Sequence, residues 1–124
     1  MTQVTNTIEY DYSPEKRRVF FLIDSKSFYA SVESVQRGLN PLKSILMVMS
    51  EQANTNGGLV LAASPMAKKK LGISNVMRQR DVPDDPRLIK VQPRMNLYIQ
   101  ENLRINTIYL SYVDEFHLLP YSID

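Results

Sequence analysis

The chain has 124 residues, 44% hydrophobic and 23% charged, which fits one globular domain, and it has no cysteine, which excludes a disulfide scaffold and any thiolate metal site. A single histidine leaves oxygen ligands to hold any metal, which favours magnesium, manganese or calcium. The net charge of +2 hides an asymmetry: residues 64–104 carry nine basic and four acidic side chains, a local +5, and the remainder carries six basic and nine acidic, or −3.

A basic middle beside an acid-bearing remainder suits a protein that grips phosphates with one part and metal ions with another; a solvated charged surface gives the same count. No apolar run approaches the ~20 residues needed to span a bilayer. The polar start, Met1 to Tyr12, lacks the basic-then-apolar plan of a signal peptide and reads as a flexible lead-in, with Tyr10 and Tyr12 folded back on the domain. The lack of cysteine agrees with a reducing, cytoplasmic setting.

Arg18 to Ile23 is short, apolar and rich in β-branched and aromatic residues, which predicts a buried strand running into Asp24. Ser25 or Ser27 can cap a following helix, with Phe28, Val32, Val35 and Leu39 on one apolar face and Gly38 and Asn40-Pro41 ending it. Ser44 to Met49 and Leu59 to Ala63 predict two strands of a hairpin. Leu46, Met47 and Met49 fall in its core, and Glu51 to Asn56 with Gly57-Gly58 form a long tip. Pro65 opens a helix through Lys70, with Gly72 as its stop. Asn75 to Pro86 reads as short helix and loop, where Asp81, Asp84 and Asp85 flank prolines as turn residues. Leu88 to Gln92 predicts another strand. Pro93 opens a long helix to about Tyr112, its stripe made by Met95, Ile99, Leu103, Leu110 and Val113 and widened by Tyr98, Ile105, Tyr109 and Tyr112. Asp114 to Leu118 is a loop, with His117 at the surface, and Leu119 to Asp124 is a last strand that again ends on an acid. Strands alternating with helices predict a layered α/β (α+β) fold.

Two apolar strands that each run into an aspartate deliver two carboxylates, Asp24 and Asp124, to one centre, where they could hold a hard divalent cation. Asp24 by itself is open to a plainer reading, since an acid at a strand end also caps the next helix. Phe28 and Tyr29 stand directly beyond it. Packing turns Phe28 to the core and leaves Tyr29 half exposed, placed to stack against a sugar or base.

The run Ile-Asp-x-x-x-Phe-Tyr-Ala-Ser-Val-Glu at residues 23–33, and Tyr-Ser-Ile-Asp at 121–124, resemble the two carboxylate motifs of the Y-family (translesion) DNA polymerases of the UmuC/ImpB-MucB-SamB type. Gly58 to Pro65, continuing through Lys68 to Gly72, resembles that family's fingers motif. The resemblance covers residues 18–124. It implies a partial palm sheet with helices and a small fingers subdomain: an N-terminal extension at 1–17, palm at 18–36, fingers at 37–90 and the second part of the palm at 91–124.

The resemblance also implies a chemistry, template-directed nucleotidyl transfer in DNA damage bypass. Two magnesium ions about 3.5–4 Å apart would activate the primer hydroxyl and steady the leaving pyrophosphate. Asp24 and Asp124 would be the catalytic and metal-binding carboxylates, helped by the backbone carbonyl of Ser25. Phe28 would pack under the incoming sugar, and Tyr29 would be the steric gate against a ribose 2′-hydroxyl. Glu33 matches a family position on the helix. Ser64, Lys68 and Lys69 would contact the nucleotide. Here the chain departs from the family, which usually has Tyr and then Arg three residues on, where this sequence has Pro65 and Lys68. One extra residue before Gly72 leaves the register between Lys68 and Lys69 open. A lysine holds phosphate as a point charge, without arginine's fork; a solvated basic helix face is the other reading of both.

In the family the last strand continues into a glutamate, the third metal carboxylate, and then into thumb and DNA-gripping domains. The chain is therefore expected to be an N-terminal portion of such an enzyme, inactive alone. Its partners would be primer-template DNA, deoxynucleoside triphosphates and accessory replication or SOS-response proteins, with no membrane. A strand edge left open at Asp124 would invite artefactual self-association. The alternative is a non-catalytic nucleotide-, DNA- or partner-binding module acting as a regulator. A nucleotide cyclase palm is a third reading, opposed by the Phe28-Tyr29 pair and the basic fingers segment.

Overall fold

The core of the structure, a computed structural model describing residues 8–51 and 57–124, is a three-stranded sheet. Its strands are β1 (Leu46–Met49), β2 (Val60–Ala63) and β3 (Ile89–Val91), in the order β2-β1-β3. The central β1 runs antiparallel to β2 and parallel to β3, with Met47 opposite Ala63 and Lys90. Leu46-Met47-Val48-Met49 has no polar member, and all four residues are buried, as a strand covered on both faces requires. Met47 and Met49 pack on one face with Ala63, Ala67 and Ile73. Leu46 and Val48 pack on the other with Ala30 and Ala62. Ala67 belongs to α2 (Pro65–Leu71) and Ala30 to α1 (Phe28–Gln36), so each face meets a helix through a small residue that permits close approach.

Local chemistry fixes these elements. A Cβ at Gly58 would stand 1.5 Å from the Ser50 carbonyl oxygen, so the backbones of β1 and β2 can approach there only at a glycine. The predicted tip residues Gln52 to Asn56 lie outside the described residues. Pro65 opens α2 behind Ser64, whose hydroxyl accepts the Ala67 N–H at 3.2 Å, and Gly72 closes it in the left-handed conformation at φ +65°. The expected short helix between Asn75 and Pro86 is a 3-10 turn at Gln79–Asp81. Asp85 accepts from the backbone and side chain of Arg87, the turn role its place beside Pro86 implies. Among the described residues no helix is long and apolar enough to cross a membrane.

The long helix α3 (Met95–Tyr109) departs from expectation in the face it buries. Met95, Ile99, Leu103, Leu110 and Val113 are exposed. The inward residue is Tyr98, fully buried against Phe28 and Val32 of α1, with Ile105 beside it. The reason is polar. Glu33 of α1 is fully buried and needs partners, and α3 supplies them. Arg94 donates from Nε to Oε1 at 3.0 Å and from Nη2 to Oε2 at 2.5 Å, and the Tyr98 hydroxyl donates to Oε1 at 2.8 Å. Arg37, one turn along α1, adds a further ion pair.

Both predicted terminal strands are absent. Val19 to Ile23 form no regular element, and their side chains are 58–94% exposed. Residues 16–24 make no backbone hydrogen bond among the described residues, and a strand without a neighbour has nothing to hold it. Leu119 to Asp124 likewise form no strand; Leu119 and Tyr121 are exposed, and Ile123 alone packs inward. The cap of α1 also differs. Ser27 sits at φ +50° and its hydroxyl finds no partner, so neither it nor Ser25 caps the helix with a side chain. Val35 and Leu39, expected on the buried face, are exposed. Tyr10 and Tyr12 lie against each other, ring centroids 6.1 Å apart, and are exposed rather than folded on the domain. The expected loop after Tyr112 contains a 3-10 turn at Glu115–His117 capped by Asp114, which leaves His117 at the surface.

Burial alone pushes the Glu33 carboxyl up, but hydrogen bonds from Arg94, Arg37 and Tyr98 outweigh it and hold the group at about 2, below its ordinary 4.5. A carboxyl depressed on folding contributes stability above its unfolded value and loses it as pH falls from about 4.5 toward 2. Replacing Glu33→Gln is expected to cost about 2–3 kcal/mol at neutral pH. Urea titrations should show the gap between wild type and variant narrowing between pH 5 and pH 3; a gap independent of pH would mean that Glu33 is not held ionised.

Candidate active site

The candidate site forms where the start of α1 meets the end of the chain. The Ser25 N–H donates to the Asp124 carbonyl oxygen at 3.3 Å, which brings together residues about a hundred positions apart. Three further contacts steer the tail there. The Asn102 side-chain amide donates to the Ile123 carbonyl, the Ile123 side chain packs on the cluster of Phe28, Val32 and Tyr98, and the Ser122 hydroxyl donates to the Asp124 carboxylate at 2.5 Å. Asp24 and Asp124 are both exposed. A backbone bond thus ties the residue after Asp24 to Asp124, without the two strands expected to deliver the acids.

Two acids with backbone oxygens are hard donors of the kind that suit a divalent cation such as magnesium, and a cation held by them would take most of its six-coordinate shell from water or phosphate oxygens. Among the described residues no group of three or more acids, histidines or cysteines gathers.

Tyr29 is the best-fixed residue of the site. Half buried, it stacks on Tyr98 with ring centroids 4.4 Å apart and planes 14° from parallel, and it meets Phe28 at 6.0 Å and 54°. Tyr98 is itself pinned through its hydroxyl to Glu33. Burial, together with that bond to a carboxylate, pushes the phenol up to about 12, so it stays a donor. The gate candidate therefore stands on a platform anchored by a buried ion cluster. Sequence reasoning missed Arg94 and Tyr98 as its supports. The available signal was Glu33 itself, the one charged residue between Phe28 and Val35, a carboxylate that needs partners if buried. Phe28 is buried between α1 and α3 and lines a cleft of about 350 Å³ with Ser25, Lys26 and Arg104.

The phosphate-binding candidates stand apart from this group. Ser64 is fully buried with its hydroxyl committed: it accepts from the Leu46 N–H at 3.1 Å and the Ala67 N–H at 3.2 Å, and donates to the Ser44 carbonyl at 2.7 Å. It joins β1 to α2, and the hydroxyl is fully engaged in that joint. Lys68 and Lys69 are exposed on α2, opposite the inward-facing Ala67. No hydrogen bond or ion pair among the described residues links them to Asp24 or Asp124.

The sequence matches the model of the impB/mucB/samB family over residues 23–124, the span from the residue before Asp24 to Asp124. It is 42% identical over 114 residues to a DNA repair protein homolog, YozK, of Bacillus subtilis, an alignment covering 92% of this chain and 98% of that protein. It is 41% identical over 111 residues to DNA polymerase IV 2 of the same organism, covering 88% of this chain but 26% of the polymerase. The solved structure of a Y-family DNA polymerase chimera superposes with a TM-score of 0.68 at 26% identity, over 80% of this chain and 28% of that one. The chain thus spans roughly a quarter of the length of these polymerases and nearly all of the repair-protein homolog. With its mixed α/β fold and this span of similarity, the chain belongs to the impB/mucB/samB family and is homologous to the palm region of the Y-family DNA polymerases.

Proposed function

We propose that this chain is the palm-and-fingers part of a DNA-directed DNA polymerase that extends primers across damaged template. The observation that supports the reading is the bond from Ser25 N–H to the Asp124 carbonyl, which ties the residue after Asp24 to Asp124 a few residues along the chain from the fixed ring of Tyr29. Asp24 and Asp124, with the Ser25 carbonyl, would hold magnesium, which when bound would supply activation of a primer hydroxyl and charge stabilisation for a leaving pyrophosphate. Tyr29 excludes a ribose 2′-hydroxyl, and Phe28 supports the sugar from below. Lys68 and Lys69 attract the triphosphate as point charges. Residues 18–36 and 91–124 serve as palm, 37–90 as fingers and 1–17 as an extension. The substrates are primer-template DNA and deoxynucleoside triphosphates, in a cytoplasmic damage response of the SOS type with accessory replication proteins.

A second reading is favoured by one observation. The repair-protein homolog is matched over 98% of its length, so a chain of this extent occurs as a whole protein. Under that reading the chain binds nucleotide, DNA or a polymerase as a regulator, without catalysis.

The two readings separate in simple assays. With two acids, the chain alone is expected to give no primer extension with magnesium and deoxynucleotides; robust extension would defeat the proposal in its present form. Joined to the remaining palm and thumb, the protein should extend primers. Asp24→Ala should then lower the rate at least about a hundredfold, since a catalytic metal supplies several kcal/mol of charge stabilisation. In the same protein, Tyr29→Ala should raise ribonucleotide relative to deoxynucleotide incorporation by roughly tenfold or more; unchanged selectivity would remove Tyr29 from the gate role. Tight binding of primer-template DNA by the chain alone, indifferent to Asp24→Ala, would favour the regulator.

A further inference from the structure

A steric gate discriminates only as far as it refuses to move. A 2′-hydroxyl that presses on an aromatic ring is admitted if the ring can tip away, so the support of the ring sets the selectivity. One face of the Tyr29 ring is covered, and Tyr98 covers it. The ring centroids are 4.4 Å apart and the planes 14° from parallel, a contact distance that leaves Tyr29 no room to recede. Phe28 meets the ring obliquely, at 6.0 Å and 54°, and the cluster of Ala30, Leu46, Val48 and Ala62 borders it. Tyr98 is in turn held at its far end. It is fully buried, and its hydroxyl donates to Glu33 Oε1 at 2.8 Å. Glu33, also fully buried, accepts Arg94 at both oxygens, at 3.0 and 2.5 Å. A chain of direct contacts therefore runs from Arg94 through Glu33 and Tyr98 to Tyr29. Neither Glu33 nor Arg94 has a part in the proposed metal or triphosphate contacts.

We infer that Glu33 and Arg94 are positioning residues for sugar selection: they set how firmly Tyr98 backs the Tyr29 ring, and so how strongly a ribonucleotide is refused. The inference rests on the reading of Tyr29 as the gate and deepens it. Apolar packing alone is a poor backstop, because it is non-directional and lets a ring slide at small cost. A phenol bonded to a buried carboxylate is different, since it must leave that carboxylate short of a partner before it moves. Arg94 matters because its two N–H bonds fix the plane of the carboxylate, and with it the direction of the lone pair that Tyr98 meets. Arg94 directly precedes α3 and Glu33 lies within α1, so this fork also ties the helix carrying the backstop to the helix carrying the gate. Arg37 supports the same carboxylate from its own helix and cannot make that tie.

The first test needs no catalysis. In the 124-residue chain with labelled tyrosines, NMR relaxation and ring-flip rates are expected to show an ordered Tyr29 ring that Tyr98→Phe and Glu33→Gln each loosen. Tyr98→Phe keeps the stack and deletes only the hydroxyl bond, so it decides the matter even where Glu33→Gln fails to fold. The second test uses the protein joined to the remaining palm and thumb. There both variants should raise ribonucleotide over deoxynucleotide incorporation by roughly threefold to tenfold, the share of one hydrogen bond, chiefly through a lower ribonucleotide KM. Arg94→Lys, which keeps the charge but not the fork, should fall between wild type and Arg94→Gln. In a Tyr29→Ala background, Tyr98→Phe should add nothing, because the ring it backs is gone. A Tyr29 ring as ordered in both variants as in wild type overturns the inference, whatever the activity. So does a Tyr98→Phe effect that persists undiminished without Tyr29. Unchanged selectivity in Tyr98→Phe, where Tyr29→Ala relaxes it, overturns the inference and leaves the gate standing. Unchanged selectivity in Tyr29→Ala itself defeats the gate reading and the inference with it.

Discussion

A buried carboxylate is costly unless every lone pair is answered, and Glu33 is answered by two guanidinium groups and a phenol. One partner, Arg37, lies on the same helix. The others, Arg94 and Tyr98, come from the opening turn of α3 and bind α3 to the middle of α1. The apolar contact between these helices is small, centred on Phe28, Val32 and Tyr98, so the ion cluster sets how α3 lies. Two consequences for the site follow from that placement. Tyr98 is fixed under Tyr29, and Asn102, one turn further along α3, is fixed where it holds the Ile123 carbonyl and so steers Asp124 toward Ser25. The Tyr29 ring and Asp124 both hang from one charged anchor, a single helical turn beyond the Phe28-Tyr29 pair.

The sheet and α2 were legible in the sequence because their signals are local. Leu46 to Met49 is apolar on both faces, Gly58 is required by a close backbone approach, and Ser64-Pro65 with Gly72 brackets a helix by its caps. What could not be read depends on partners distant in the chain. The run from Val19 to Ile23 has the composition of a strand, but composition states only what a segment would do beside a neighbour. The inward face of α3 was misread for a different reason. Counting apolar residues selects Met95, Ile99 and Leu103, whereas the winning interaction is an ion cluster, and apolar periodicity is blind to it. The engagement of Ser64 shows the same limit from the other side: its motif suggests a nucleotide contact, but the neighbouring Ser44 carbonyl and Leu46 N–H occupy its hydroxyl.

The two functions assigned to the site rest on unequal foundations. The Tyr29 ring, proposed to face the sugar, is preorganised, half buried and stacked on a side chain that cannot rotate without breaking a charge-assisted bond. The two acids are not. Asp24 ends an exposed segment with no backbone partner, Ser27 behind it holds a left-handed conformation unusual for a side-chain-bearing residue, and Asp124 is reached by one 3.3 Å bond from Ser25 and a short tail. Carboxylates on irregular backbone must be ordered when a cation binds, at about 1–2 kcal/mol for each residue whose backbone becomes fixed. Ordering residues 18–24 and 119–124 as paired strands beforehand would remove that cost. Under the proposed metal role, affinity for the cation would therefore be coupled to whatever lies alongside those two segments. A neighbour that pairs them in line with α1 would strengthen the proposed site, and one that engages the Asp24 carboxylate itself would weaken it. The steric discrimination proposed for Tyr29, whose ring is anchored through Tyr98 and Glu33, would be insulated from both.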